Sequence, residues 1–477
     1  MENNLTTGSV LKTVLHFSLP FLLSYFLQTL YGMADLFIIG QFNGVDSTTA
    51  VSIGSQVMHM LTVMIVGLAM GATVLIGRAI GSREQKQAAR TVGNTITLFM
   101  TLSLLLAAGL LFAVKPITAI MSTPAEAVSG TVSYLTICFL GIPFITAYNI
   151  ISSIFRGMGD SKSPMYFVAV ACAANIVLDY LFIGALRLNA AGAALGTTLA
   201  QTISVIAAMA VISRRKTGIK LTKRDLMPHK ATMWGLLKIG VPVSLQEGFI
   251  QISFIVITII ANKRGLNDAA AVGIVEKLIG IMFLIPSTML STVSALSSQN
   301  IGAGKHDRAR LTLRYAILIT AMWGITASLV MQFAAESFVS LFVDQSQAGS
   351  AQVITLGGQY MRGYVWDCIF AGIHFSFSGY FCAYGLSMIP FIHNSLSIVC
   401  VRIPLAYLLS RHFADTLFPM GLSSPAGSLL SVFICGSVFI WMRKQNAKIE
   451  EDENRRKKRH GKKGIVPNRR RGQALSH

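Results

Sequence analysis

The sequence predicts an all-α polytopic membrane protein, with twelve transmembrane helices in two parallel six-helix repeats, an N-lobe and a C-lobe, around a central cleft. Three observations carry that prediction. The 477 residues are 53% hydrophobic and only 13% charged, with a mean hydropathy of +0.60, above the usual range of a soluble globular chain. The basic residues gather in alternate loops. Several short segments recur at an offset near 221 residues.

The apolar runs lie at residues 14–40, 50–78, 91–114, 128–155, 164–186, 190–213, 233–261, 269–297, 311–334, 352–380, 386–409 and 417–442. Each is long enough to cross a hydrocarbon core roughly 30 Å thick. The tenth run carries Arg362 and Asp367, and only GALRLN separates the fifth from the sixth. With the N-terminus inside, 32 of the 40 Lys and Arg fall on inside positions and five outside (Lys115, Arg187, Lys263, Arg264, Arg411), while Lys277, Arg362 and Arg402 lie within spans. The positive-inside rule then places both termini in the cytoplasm and requires an even number of crossings. The net charge of +20 mostly reports this topology. The basic tail from Arg455 reads as a disordered retention signal rather than a nucleic-acid patch. The first apolar run is too long for a cleavable signal peptide. All six cysteines fall within spans, with no CxxC pair, and read as inert core residues.

The repeats set the architecture. LHFSLP at 15–20 resembles LKIGVP at 237–242, AVSIG at 50–54 resembles AVGIV at 271–275, and RAIGSREQKQAAR at 78–90 resembles QNIGAGKHDRARL at 299–311. FRGMGDSKSPM at 155–165 and FCAYGLSMIPF at 381–391 keep their Gly and Pro in register at an offset of 226. Six crossings return a chain to its starting side, so the halves run in the same direction, related by an axis along the membrane normal. The expected division is an N-lobe at 1–213, a basic cytoplasmic linker at 214–232, a C-lobe at 233–442 and a tail at 443–477.

A charged side chain near the bilayer centre costs about 2.5–3.5 kcal/mol on insertion scales, so intramembrane acids are functional candidates. Five stand out: Asp35, Asp179, Glu247, Glu276 and Asp367. Glu276 adjoins Lys277 and reads as a local ion pair or a snorkelling group. On the first span Ser24, Gln28, Tyr31 and Asp35 step by four, three and four residues and share one face, which must meet water or another polar helix. Pro20 removes a backbone hydrogen bond and supplies a hinge. On the fifth span Asn175 and Asp179 share a face, and the sixth offers Thr197 and Thr198 in GAALGTTLAQ. Gly192 and Gly196 there permit close helix approach. Such a set can share a proton between two acids or hold a small cation on hard oxygen ligands. An interhelical hydrogen-bond clamp is the competing reading.

The two halves, the span-one proline and aspartate, the Asn-x-x-x-Asp of span five and the GAALGTT of span six resemble the multidrug and toxic compound extrusion (MATE) family, over nearly the whole chain to about residue 442. The resemblance implies a cation- or proton-coupling site at Asp35, Asn175, Asp179 and Thr197, with Tyr134 of span four at a matching tyrosine position. It also implies, from one branch of the family, a C-lobe cation site at Glu247 and Asp367. Here Glu247 lies nearer its proline than that branch's glutamate does.

The expected activity is secondary active multidrug efflux. Protons or sodium ions entering are exchanged for amphipathic, often cationic, organic compounds leaving, by alternating access, with Gln28, Tyr31 and Asp35 lining the substrate cavity. A flippase or exporter of a lipid-linked glycan or anionic metabolite is the alternative, and calls for a cavity ringed by basic residues. HExxH, GxSxG and Walker sequences are absent, and GMGDSK at 157–162 lacks a third phosphate-loop glycine. The expectation is therefore no enzyme and no cofactor beyond the transported ion. The expected partners are small drug-like molecules and membrane lipid, for a monomer in a bacterial cell membrane.

Overall fold

A computed structural model describes residues 4–214, 221–344 and 349–463. Among them every regular element is helical: α1 (Val10–Phe42), α2 (Val45–Gly81), α3 (Gln85–Ile120), α4 (Ala125–Gly157), α5 (Lys162–Asp179), α6 (Asn189–Arg214), α7 (Lys230–Asn262), α8 (Leu266–Met282), α9 (Leu284–Gly302), α10 (His306–Ser340), α11 (Ser350–Tyr364), α12 (Asp367–Ala383), α13 (Met388–Ser397), α14 (Ile403–His412), α15 (Phe418–Gly421) and α16 (Ser423–Lys463). A wide π-turn, Tyr180–Ala185, follows α5, and a second, Ile398–Arg402, joins α13 to α14. Eleven helical stretches are long and apolar enough to cross a membrane. The broken pair α11–α12 makes the twelfth.

The duplication is visible in the turns that end the helices. After α2, Arg83 takes a left-handed φ of 61°, and after α9 Gly304 takes 70°. Around them Glu84 N donates to Ala79 O and Arg83 N to Ile80 O, as Lys305 N does to Asn300 O and Gly304 N to Ile301 O. Every pair is 221 residues apart. The turns after α4 and α12 repeat the pattern at 226: Gly159 and Gly385 have φ of 88° and 72°, with Asp160 N to Phe155 O matching Leu386 N to Phe381 O. The paired orphan carbonyls at each helix end are satisfied in the same way in both halves.

The C-terminal half departs from the N-terminal one at two breaks, and each freed carbonyl finds a donor. Pro286 has no N–H for the Met282 carbonyl four residues back. The helix breaks at Phe283, and Trp323 Nε1 donates to Met282 O at 3.1 Å. The tenth span, expected as one run over 352–380, breaks between Tyr364 and Asp367. Ser328 Oγ donates to Val365 O at 3.2 Å and Gln332 Nε2 to Arg362 O at 3.1 Å, both from α10. Backbone groups inside an apolar core need such substitutes.

Each half has its own apolar core. Ile39, Val51, Leu135, Phe139, Ile142 and Ile183 are among the fully buried residues of one, and Val272, Val275, Met361, Tyr364 and Cys368 of the other. The halves meet along the ends of α2, α4, α7, α9 and α12 that carry the basic loops. Arg78 donates from Nε and a terminal nitrogen to Ala383 O at 2.9 and 2.6 Å, and Gln299 Nε2 to Gly157 O at 2.9 Å. Gly81 lies against the Gln299 carbonyl and its repeat mate Gly302 against the Arg78 carbonyl, each so close that a Cβ would sit about 2 Å from the oxygen. The N-terminal strand is tied down there as well, Lys305 Nζ reaching Thr6 O at 2.8 Å and Arg308 reaching Gly8 O at 2.8 Å.

Part of the expected linker, 214–232, lies outside the described residues. Its remainder docks on α3, where Asn94 Nδ2 donates to Asp225 O and Met227 O and accepts from His229 N. Where a disordered tail is expected from 443, the chain is helical to Lys463. Glu451–Arg455, Asp452–Arg456 and Glu453–Lys457, each acid four residues before a base, favour a helix there. Residues 464–477 lie outside the described residues. Cys400 is exposed, whereas Cys138, Cys172, Cys368 and Cys382 are buried.

Candidate cation site in the N-terminal half

Asp35 lies on α1, seven residues before its end, and is 5% exposed. Its Oδ2 accepts a 3.1 Å hydrogen bond from Thr197 Oγ1 on α6. Asp179, fully buried, is the last α-helical residue before the π-turn, and Asn175 is one turn earlier. Both side chains lie against Asp35. π-turns displace the residues beside them and recur at functional sites; this one swings Asp179 toward α6. The approach is close because residue 196 is glycine: a Cβ there would stand 2.0 Å from Asp179 Oδ1. Gly192, one turn before, packs on the Phe182 backbone.

The cluster is rich in unused oxygen. Asp35 Oδ1, both Asp179 oxygens and the Asn175 amide make no hydrogen bond to another protein group. Neither aspartate is in an ion pair among the described residues. Two adjacent carboxylates and an amide carbonyl, buried without a basic partner, form a donor set for a proton or a small hard cation. Clusters of three or more His, Cys, Asp or Glu, as transition metals require, are absent among the described residues. Tyr134 packs its ring on Gly54, where a Cβ would be 2.3 Å away, and neighbours Asp35, Tyr31 and Cys138.

The polar face of α1 continues from this site. Tyr31 faces Gln201 of α6 across 3.5 Å, Gln28 faces Tyr148 of α4, and Ser24 Oγ donates to Pro20 O at 2.9 Å. Pro20 does not interrupt the helix.

The MatE family profile matches residues 20–181 and again residues 242–408. The chain belongs to the MatE family. Its two matched segments begin 222 residues apart, the same duplication that the turns display. The chain is 26% identical to the probable multidrug resistance protein YoeA of Bacillus subtilis over 92% of its own length and 95% of the relative's. It is 24% identical to the multidrug export protein MepA of Staphylococcus haemolyticus, over 90% and 94%. A solved outward-facing conformation of a multidrug resistance MATE family transporter superposes with a TM-score of 0.86 at 21% identity, covering 94% of this chain and 99% of that one. MatE chains are membrane transporters and not enzymes.

In this MatE chain the two C-terminal acids singled out from the sequence are not brought together. Glu247 neighbours Tyr25 of α1 and Cys382. Asp367 begins α12 beside Arg402 and Ser428. The acid that shares Arg402 with Asp367 is Glu276, which accepts a hydrogen bond from Thr258 Oγ1 at 3.2 Å instead of pairing with exposed Lys277. Arg402 is buried, donates to Tyr364 OH at 2.6 Å and lies 4.7 Å over the Phe254 ring. Guanidinium and aromatic face together explain how this charge is tolerated.

Arg156, counted among loop residues on the sequence, turns inward at the end of α4. Its guanidinium lies 5.0 Å over the Phe21 ring and donates to Ser153 Oγ at 2.7 Å. The signal was present: Tyr148, Ser152 and Arg156 step by four along one helix face.

Proposed function

We propose that this MatE transporter is a multidrug exporter coupled to an inward flow of protons or sodium ions through Asp35, Asp179, Asn175 and Thr197. The observation that carries the reading is the buried, unpaired Asp35–Asp179 couple with its unused oxygens. Such a couple requires a positive charge while it is closed off from water and loses it when opened to a dilute side. Arrival of the ion from outside favours an N-lobe in which α1 has moved on its Pro20 hinge, so that the face of Gln28 and Tyr31 no longer holds substrate. Departure of the ion inward restores that face. Each charge moving down the potential supplies about 2.3 kcal/mol per 100 mV, enough for more than a tenfold drug gradient. The names of the relatives support small organic substrates, and the basic loops support cytoplasmic termini in a bacterial cell membrane, with an N-lobe to 213 and a C-lobe from 233.

Arg156 favours the second reading, export of an anionic metabolite or lipid-linked glycan. It is one guanidinium rather than a basic ring. Ethidium efflux from cells expressing wild type, Asp35→Asn and Asp179→Asn, with the proton and sodium gradients collapsed separately, tests the proposal. Both variants are expected to lose efflux at least about tenfold, and collapse of one gradient to abolish it in wild type. Full efflux by both variants would remove the site, and efflux surviving the loss of both gradients would remove the coupling.

A further inference from the structure

Tyr25 sits on α1 where the two halves meet at mid-span, facing Ser291 of α9. Two charged groups of opposite sign flank it. On one side is Arg156, half-buried, stacked on Phe21, whose ring in turn meets Tyr25 edge-on with centroids 5.1 Å apart. On the other is Glu247 of α7, half-buried and supplied by the opposite half. Neither has an ionic partner: no ion pair involves either among the described residues, and the only hydrogen bond that Arg156 makes from its side chain there is to Ser153.

A guanidinium and a carboxylate that remain apart at mid-membrane each carry an unmet desolvation cost. A ligand with one group of each sign on an aromatic frame would meet both, spanning Tyr25. The guanidinium offers a planar fork suited to a carboxylate, and the Phe21 and Tyr25 rings offer stacking area. Resting on the transporter reading above, we propose that this place binds ampholytes, aromatic molecules bearing both a carboxylate and an amine, with Arg156 taking the carboxylate and Glu247 the ammonium. Because the two charges come from different halves, such a ligand bridges them and dissociates when they part.

Equilibrium binding to the purified full-length protein tests this apart from transport. The probes are norfloxacin, which has a carboxylate and an amine, and its methyl ester, which keeps only the amine. Wild type is expected to bind the acid at least about tenfold more tightly than the ester, the value of one charge-assisted hydrogen bond. Arg156→Gln should abolish that preference, Arg156→Lys should keep part of it, and Glu247→Gln should weaken both probes alike. Wild type that does not distinguish acid from ester overturns the proposal, as does Arg156→Gln that still does. Acid-selective binding without ion-coupled efflux would leave this assignment standing while sinking the transport reading.

Discussion

Gly196 is where a missing side chain matters most. A Cβ at this position would overlap Asp179 Oδ1, so Gly196→Ala must either push Asp179 off Asp35 or move α6 away from α5. Overpacking of this kind costs about 1–3 kcal/mol. Efflux by Gly196→Ala is expected to fall as far as that of Asp179→Asn, with the protein present in the membrane in similar amount, which efflux assays alongside immunoblots would measure. Wild-type efflux would mean that the carboxylate has another resting place. Asp35, Asn175, Asp179 and Thr197 were legible in the sequence because burying a carboxylate is costly and helical spacing says which residues share a face. Arg156 was not, since a basic residue beside a turn looks the same whether it faces water or folds back on Phe21. The error over Glu276 has the same origin. Sequence adjacency offered Lys277, but consecutive helix residues point about 100° apart, and the true neighbours, Thr258 and Arg402, are remote in sequence.

At the scale of elements, helix number and order follow from apolar runs and basic loops, and the repeat follows from recurring segments. The breaks do not. Nothing in the local pattern of 352–380 stops a helix before Asp367; the stop depends on Ser328 and Gln332 of another helix standing ready for the freed carbonyls. The break at Phe283 has a local cause, Pro286, and a remote remedy, Trp323. That separation is testable by a double-mutant cycle. Trp323→Phe leaves Met282 O without its donor and should lower stability to unfolding in detergent by about 0.6–1.7 kcal/mol, the span measured for interhelical hydrogen bonds in membranes. In a Pro286→Ala background residue 286 regains an N–H for that carbonyl, and the same substitution should cost appreciably less. Equal losses in the two backgrounds would show that the indole matters for packing and not for the carbonyl.

For the whole molecule, the question is what holds the two halves closed at the ends of the helices that carry the basic loops. The apolar seam there, Met70, Val74, Ile239, Val243 and Leu290, is favourable but non-directional. The polar ties are directional and join one half to the other: Arg78 to Ala383, Gln299 to Gly157, and Arg308 and Lys305 to the strand that precedes α1. A transporter that alternates must break all of these together each time its cytoplasmic side opens, so their summed strength sets the closed population. Arg78 is the member to test, since it makes two charge-assisted hydrogen bonds to one carbonyl, each worth about 1.5–3 kcal/mol. Ser298 is fully buried at this seam, against Gly77 of the other half, and Ser298→Cys places a thiol of nearly the same size there. In cytoplasmic-side-out vesicles, with the native cysteines replaced, a membrane-impermeant maleimide is expected to label the introduced thiol at least about tenfold faster when Arg78→Ala is also present. An unchanged labelling rate, with transport retained, would mean that the apolar seam alone keeps the two halves together and that Arg78 only follows the motion.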